Sequence, residues 1–535
     1  MSLLKNIDKR FPSISTGIFI IVIMMLGTFL RIQYLQKSDF VLNDGGMFFT
    51  MIRDLQNNRY VLPIFTTYNF SQIPFAYPPL SFYSGAILNQ FFNIDLITIF
   101  RVYPFFFNLL SIPAFYFLSK EITGVDRQAL LATTFYAILL PGFEWLISGG
   151  GLTRSPAHTF FIISLSLYLV YLRTNKRMFF LLSIVSAVIM TLFHIEYCWL
   201  LVFSSLLFSA NSMSWRVYLK TNMSYLIGIG FLTAPYWVTV VYNHGFSPFI
   251  SAFSAGEFNL MNSIGRFILL VFTNEPISNY INVLGIIGLF YCVFTKRFSV
   301  VIWFLLIALL NSRSVNRTSI FPVTIFAAMT IDKVLCPVFE QIYHRSTNTL
   351  TETGHNQKRK NPNFASIFFA FSIVYPFFLG YINSFSYNPV LSGISVNERE
   401  AMEWIKSNTS TDSKFVVMDP SIAWHIDQLG EWFPTLAERE GITTVQGSEW
   451  LPNSSFETKK QIYNEFKDCV YSGEQCLTLW AERNHINFSY LYISKGECLI
   501  NSANCLNYFD SSVRASQNYQ MIFENNGAVV YQKTN

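Results

Sequence analysis

The segment Asn43-Asp44-Gly45-Gly46 is the first place along the chain where residue types and spacing suggest chemistry. Two glycines after an acid let the backbone approach a ligand closely, while the carboxylate points into a cavity. A helix-like apolar run with Arg53 and Asp54 follows. Asp44 is therefore a candidate functional residue, and the alternative is that it only caps the N-terminus of that helix.

A second polar segment runs from Gly149 to Pro156 and contains three consecutive glycines and Arg154. Exposed backbone amides next to an arginine and a helix start form a plausible cradle for an anion. Glu144-Trp145 precedes this segment and adds an acid. The alternative interpretation is a flexible turn.

His194 and Glu196 lie two residues apart, at the turn of a predicted pair of helices. They could ligate a metal, bind a substrate hydroxyl or bond to each other. Together with Asp44 and Glu144 they are the candidate ligands for a divalent metal, and the sequence leaves open whether one is needed.

Arg313 and Arg317 follow an apolar run and are expected on the outer side of a membrane. This position is unusual, because Lys and Arg are normally enriched in cytoplasmic loops. Because the guanidinium group suits bidentate phosphate binding, this pair suggests a phosphate ligand. The alternative is that both side chains reach to lipid headgroups.

The elements that must position these residues are membrane helices. Of the 535 residues, 52% are hydrophobic and only 13% are charged, against about 25% charged in a soluble globular protein. Long, nearly charge-free runs such as 14–35 and 225–242 approach or reach the roughly 20 residues that cross a bilayer. The net charge is +5, and the Lys and Arg residues lie mainly in short loops. Their positions therefore indicate the membrane topology and not a nucleic-acid partner.

Loop charges predict about eleven spans in residues 1–385, with the N-terminus in the cytoplasm because Lys5, Lys9 and Arg10 are basic. The first outer loop covers about residues 36–98 and includes a membrane-embedded helix near 78–93. The predicted spans are about 14–35, 99–119, 128–147, 156–172, two within 178–210, 222–242, 281–294, 298–311, 318–336 and 363–384.

Residues 386–535 differ in composition and predict an extracytoplasmic α/β domain. Asn397–Lys406 is typical of a helix with Ser395 or Asn397 as its cap, and four short runs predict strands. These runs are Phe415–Met418, Ile442–Val445, Tyr490–Ile493 and Ala528–Tyr531. An oxidising outer face permits two disulfides, within the like-spaced pairs Cys469/Cys476 and Cys498/Cys505, or the four thiols stay reduced.

Three segments resemble those of the C-type (GT-C) membrane glycosyltransferases, which include protein O-mannosyltransferases, aminoarabinose transferases and oligosaccharyltransferase catalytic subunits. Asp44 lies in the first outer loop, where these families keep a catalytic acid. Tyr77-Pro78-Pro79-Leu80 looks like their proline pair, and Arg101-Val102-Tyr103-Pro104 is similar to the arginine segment that opens their second span. The acidic motif of their second outer loop has no clean counterpart; Glu144 is the candidate, and no DxD is present.

The resemblance implies a polyprenyl-phosphate sugar as donor and transfer to a protein, lipid or glycan acceptor on the outer face. Asp44 would be the general base, and Arg313 or Arg317 would hold the leaving phosphate. Tyr77 and Arg154 join them as donor-site candidates, and Glu144, His194 and Glu196 would line the sugar pocket. Four tryptophans of the C-terminal part could stack on sugars or belong to its core: Trp404, Trp424, Trp432 and Trp450.

The alternative from another class is a multi-pass transporter or lipid flippase with an outer accessory domain. The sequence has no internal repeat relating two halves and no paired interrupted spans, which such proteins often show. A non-catalytic partner of an enzyme is a third interpretation.

Overall fold

A helical membrane part and a C-terminal sheet region make up the protein. The fold comes from a computed structural model that describes residues 14–210, 212–255, 276–311, 314–342, 364–421, 423–452, 455–496 and 506–534. Arg313, Cys498 and Cys505 lie outside these ranges.

Helices build nearly all of the described chain up to residue 383. In order they are α1 (Ile14–Leu35), α2 (Gly46–Asn57), α3 (Leu80–Phe92), α4 (Leu96–Thr123), α5 (Asp126–Ile138), α6 (Glu144–Ile147), α7 (Gly151–Thr174), α8 (Arg177–Phe193), α9 (Ile195–Ala210), α10 (Trp215–Leu232), α11 (Ala234–His244), α12 (Ser247–Ser254), α13 (Pro276–Phe294), α14 (Phe298–Leu310), α15 (Val315–Thr318), α16 (Ile320–Thr330) and α17 (Phe364–Asn383). Two short strands, β1 (Phe65–Thr66) and β2 (Ile73–Pro74), pair between α2 and α3.

Four helices are long and apolar enough to cross a membrane: α1, α4, α7 and the helix that runs from Ile320 through α16 to Ile342. Two bent pairs raise the number of candidate spans to six, and five shorter apolar helices accompany them. The prediction of a polytopic helical membrane protein is therefore confirmed.

Two of the predicted spans are bent. The predicted span 128–147 turns by 89° between residues 138 and 140, where Pro141 and Gly142 follow, and the predicted span 222–242 turns by 63° just before Pro235. Proline lacks the amide that continues a helix, and its ring clashes with the preceding turn. The carbonyl of Ala137 at the first bend accepts a hydrogen bond from the buried Arg31 at 2.8 Å.

The first outer loop folds back over the ends of α1 and α4. Arg101 donates to the carbonyls of Leu35, Ser38 and Asp39, which fixes the end of α1. The predicted embedded helix is α3, which begins after Pro78-Pro79 as a proline pair at a helix start requires.

The C-terminal region contains a five-stranded mixed sheet. Its elements are α18 (Val396–Asn408), β3 (Lys414–Met418), α19 (Gln428–Leu436), β4 (Glu440–Gly441), α20 (Ser455–Asp468), α21 (Glu474–Arg483), β5 (Tyr490–Ser494), α22 (Asn507–Ala515), β6 (Tyr519–Glu524) and β7 (Ala528–Lys533). The strand order is β4-β3-β5-β7-β6, with β3 parallel to β4 and β5 and the other pairs antiparallel.

Side chains alternate across this sheet, as the pleat requires. Val416 and Ile493 belong to a core with α20, α21 and α22, whereas Phe415, Val417 and Tyr492 face α18 and α19. The second face also packs against α2 and the first outer loop.

Most predicted elements of this region are present. Ser395, one of the two predicted caps, is the N-cap of α18 and forms a capping box with Glu398. The predicted strand Ile442–Val445 was wrong: β4 ends at Gly441, and the Thr443 side chain bonds both the amide and the carbonyl of Val417 in place of a strand ladder. The edge strand β6 was not predicted from the sequence, and only Tyr519 among its six residues is buried.

Cysteine and tryptophan positions were also predicted for this region. Cys469 and Cys476 form a disulfide. Trp432 and Trp450 are buried, and Trp404 and Trp424 are half-buried. Trp432 packs against Phe40 and Phe49 with ring centroids 4.9 and 5.9 Å apart, so it joins the C-terminal region to the first outer loop.

Candidate functional site

The two glycine-rich segments predicted from sequence lie against each other, with the Asp44 carboxylate between them. Asp44 Oδ1 accepts hydrogen bonds from the Gly150 amide at 2.7 Å and the Ser148 hydroxyl at 2.8 Å. Its Oδ2 is 2.8 Å from Arg154 Nη1. The glycine-rich segment and Arg154 therefore bind an anionic group in this structure, and that group is the chain's own Asp44 carboxylate.

Glycine is required at this contact. A Cβ atom at Gly149 would lie 1.7 Å from the Asp44 carbonyl oxygen, and one at Gly150 would lie 2.3 Å from Asp44 Oδ2. Gly45 has φ of 127°, which other residues rarely adopt. The bend after α5 brings the second segment to this position, and the Gly149 amide bonds the Leu42 carbonyl at 2.8 Å.

A second ion pair joins two residues predicted to act separately. Arg317 Nη2 is 3.1 Å from Glu196 Oε2 and bonds Ser314 Oγ at 2.6 Å. The guanidinium also lies over the Tyr197 ring, 5.7 Å from its centroid. The Arg317 side chain is only 10% exposed, so little water competes with these contacts.

Aromatic side chains connect the two ion pairs. The Tyr77 hydroxyl lies 3.4 Å from Thr153 Oγ1, next to Arg154 in sequence. The Tyr77 ring meets His194 edge to face at 5.7 Å, and His194 meets Tyr197 at 5.9 Å. We call the set Asp44, Arg154, Tyr77, His194, Tyr197, Arg317 and Glu196 the polar tract.

Glu144 lies beside this tract and contacts the C-terminal region. Its Oε2 accepts a hydrogen bond from Asn388 Nδ2 at 3.5 Å, and the side chain is half-buried. Arg313 falls outside the described residues.

The predicted metal ligands do not form one cluster. Within the described ranges, no group of three or more His, Cys, Asp or Glu residues could hold a metal ion. Both Asp44 oxygens already meet donors, and a guanidinium beside them opposes a second cation. The four candidate ligands therefore do not fit a divalent ion in this conformation.

Sequence reasoning missed two polar residues of the site. His158 is fully buried one turn after Arg154 and bonds the hydroxyls of Tyr136 and Tyr197 at 2.7 and 3.0 Å. A histidine inside an apolar span is a signal that would have found it. Glu431 gave no such signal, because it lies 386 residues from Gly45, its hydrogen-bond partner.

Helix α19 holds the Asp44 segment through three hydrogen bonds. Trp432 Nε1 donates to the Asn43 carbonyl at 2.9 Å, Glu431 Oε1 accepts from the Gly45 amide at 2.7 Å, and Thr435 Oγ1 donates to the Gly46 carbonyl at 2.8 Å. Burial, and then the charge of Asp44, raise the pKa of Glu431 to about 8. A second carboxyl group therefore lies beside the Asp44–Arg154 pair, and it is kept largely neutral.

Comparison with solved structures identifies the fold. An archaeal oligosaccharyltransferase, AglB from Archaeoglobus fulgidus, in complex with an inhibitory peptide and a dolichol-phosphate, matches with a TM-score of 0.58 and 13% identity, over 90% of this chain and 70% of that one. ArnT from Cupriavidus metallidurans bound to undecaprenyl phosphate matches with a TM-score of 0.54 and 11% identity, over 96% and 97% of the two chains. The chain has the GT-C glycosyltransferase fold.

The predicted resemblance is thus confirmed at the level of the fold. The Archaeoglobus fulgidus oligosaccharyltransferase in complex with Zn and sulfate also matches, with a TM-score of 0.53 and 15% identity, over 96% of this chain and 73% of that one. No protein-family model matches the sequence, and no curated protein matches it significantly by sequence.

The glycine contact generates a stability prediction. Gly150→Ala should destabilise the protein by about 1–3 kcal/mol, because the new methyl group overlaps the Asp44–Arg154 pair. Thermal unfolding in detergent measures this. Gly230→Ala is the matched control, since a Cβ there meets nothing within 4 Å and alanine favours the helix. Equal melting temperatures for the two variants would contradict the packing argument.

Proposed function

We propose that the protein transfers a sugar from a polyprenyl-phosphate donor to an acceptor at the extracytoplasmic face of the membrane. The observation that carries this proposal is the polar tract, in which two acid–arginine ion pairs are linked by aromatic side chains. The GT-C fold supports it, because two proteins that share the fold have been captured with dolichol-phosphate and undecaprenyl phosphate.

Asp44 is proposed as the general base that orients the acceptor and takes its proton. As the bond between sugar C1 and the phosphate oxygen breaks, C1 acquires oxocarbenium character and the bonding electrons leave with the phosphate. The acceptor atom then bonds to C1. Arg154, Ser148 and the Gly150 amide hold the Asp44 carboxylate in one orientation while this happens.

Arg317 is proposed to bind the leaving lipid phosphate. It is bound by Glu196 and Ser314 in this structure, so a phosphate would replace the carboxylate as its anionic partner. A buried guanidinium stabilises a developing negative charge more than an exposed one, because the local dielectric is low. Glu144, Tyr77, His194 and Glu196 would line the sugar pocket, and Arg313 remains a second phosphate candidate.

Such a site belongs at the membrane surface, since the donor's tail stays in lipid while its head meets an aqueous acceptor. The proposed topology has about eleven spans, a cytoplasmic N-terminus, residues 386–535 outside and the polar tract on the same outer side. The C-terminal region would bind the acceptor, and its half-buried Trp404 and Trp424 remain candidates for stacking on a sugar.

Asp44→Asn should lower transfer from a radiolabelled polyprenyl-phosphate sugar by about 10²–10⁴-fold, because the amide cannot take the acceptor proton. Asp54→Asn is the control: Asp54 is a buried acid of the same loop that bonds only Thr66 and Thr67 among the described contacts. Size-exclusion profiles show whether each variant is folded. Full transfer by folded Asp44→Asn would remove Asp44 from the mechanism, and lipid scrambling without donor turnover would favour a flippase.

Arg317→Gln should lower transfer by about 10²–10³-fold, because one donor to the leaving phosphate is lost. Adding free polyprenyl phosphate should inhibit the wild-type protein and inhibit this variant much less. Arg173→Gln is the matched control, since Arg173 forms an exposed ion pair with Glu121 that is not part of the polar tract. Unchanged inhibition in Arg317→Gln would exclude Arg317 from the phosphate site.

A reporter fused after Tyr381 tests the orientation. The proposed topology predicts an active reporter when it requires the extracytoplasmic side, and an inactive one when it requires the cytoplasm. The opposite pattern would reverse the orientation and contradict an outer acceptor site.

A further inference from the structure

The contact between α19 and the Asp44 segment is unusually close. A Cβ at Gly46 would lie 2.5 Å from the Glu431 carbonyl oxygen, so only glycine lets the helix backbone approach the segment. The Tyr68 hydroxyl bonds the same carbonyl at 2.7 Å and anchors the helix to the first outer loop. The position of Gly45, and of Asp44 before it, therefore depends on α19.

Among the three hydrogen bonds from α19 to the Asp44 segment, the one made by Glu431 uses a carboxyl group. Its Oε1 is the acceptor for the Gly45 amide, and the residue is buried. The charged and titratable groups around it are Asp44, Arg154, Glu449 and Tyr68, with Asp427 at the N-cap of α19. Three of these groups are acids and one is a cation, so the surroundings disfavour a charge on Glu431.

We infer that Glu431 is a positioning residue for Asp44: it holds the Asp44-Gly45 backbone in place through the Gly45 amide, and ionisation of its carboxyl group disturbs this arrangement. Only the expected effect of Glu431 on sugar transfer rests on the proposed function. The geometric part of the inference, which concerns the position of the Asp44 segment, does not depend on the proposed function.

The direction of the pH dependence follows from the raised pKa. Burial and Asp44 raise the pKa of Glu431 to about 8. The contribution of the neutral acid to the stability of the folded protein is therefore complete below its unfolded pKa of about 4.3. It is lost as the pH rises towards the folded value. Above about pH 8, two adjacent carboxylates share Arg154, and each weakens the hold of the other on that cation.

Hydrogen exchange of the full-length protein in detergent tests the geometric part. After correction for the intrinsic base-catalysed rate, the peptide that contains Gly45 should exchange at least about tenfold faster in Glu431→Ala than in the wild type at neutral pH. Glu431→Gln keeps a carbonyl oxygen for the amide and should match the wild type. Glu403→Gln, at an exposed acid on the neighbouring α18, is the control.

The pH dependence of exchange distinguishes the inference from a purely structural contact. Corrected exchange of this peptide should increase in the wild type between about pH 4.3 and about pH 8, where the opened state is ionised and the closed state is neutral, and it should level off above about pH 8. It should stay constant in Glu431→Gln, which has no charge to acquire. If Glu431→Ala exchanges like the wild type, or if the increase persists in Glu431→Gln, the inference is wrong.

Sugar transfer from a radiolabelled polyprenyl-phosphate sugar provides the second measurement. Transfer by the wild type should decline above about pH 8, Glu431→Gln should lack this decline, and Glu431→Ala should lose about tenfold or more at every pH. Absence of transfer in the wild type would overturn the proposed function, while the exchange result would still decide the role of Glu431. Transfer whose alkaline decline is the same in Glu431→Gln would overturn that role alone.

Discussion

The Asp44–Arg154 ion pair is the interaction around which the described site is arranged. A carboxylate and a guanidinium removed from bulk water are stable only with matched partners and further hydrogen bonds. Ser148 and the Gly150 amide supply those bonds to the carboxylate. These partners are brought together by the bend at Pro141-Gly142, by the buried Arg31 at that bend and by the glycines 149–151 at the start of α7.

The C-terminal region is part of this arrangement and not merely an appendage. Trp432 packs among phenylalanines of the first outer loop and of α4. Helix α19 also bonds Asn43, Gly45 and Gly46 of the Asp44 segment. An apolar core that joins the two regions gives the segment a rigid support on one side, while the helix bundle supports it on the other. A loop held from both sides keeps a reactive geometry that a free loop would lose.

Local signals carried much of the prediction. Long uninterrupted runs of apolar residues indicated the helices, and Pro78-Pro79 indicated the start of α3. Ser395 was one of the two caps predicted for α18. Signals of this kind fail where tertiary contacts replace backbone pairing: Thr443 bonds Val417 through its side chain, so the strand expected at Ile442–Val445 does not form. The prolines near the two bends can be read from the sequence, but the bend angles of 89° and 63° cannot.

The sequence by itself determined that the protein is a polytopic helical membrane protein and which acids, arginines and glycines stand out from its apolar runs. These properties depend on composition and on neighbours along the chain. Only the tertiary structure decided that Asp44 pairs with Arg154, that Glu196 pairs with Arg317, and that Glu431 holds Gly45. Each of these contacts joins residues 110 to 386 positions apart, and no local periodicity encodes such a pairing.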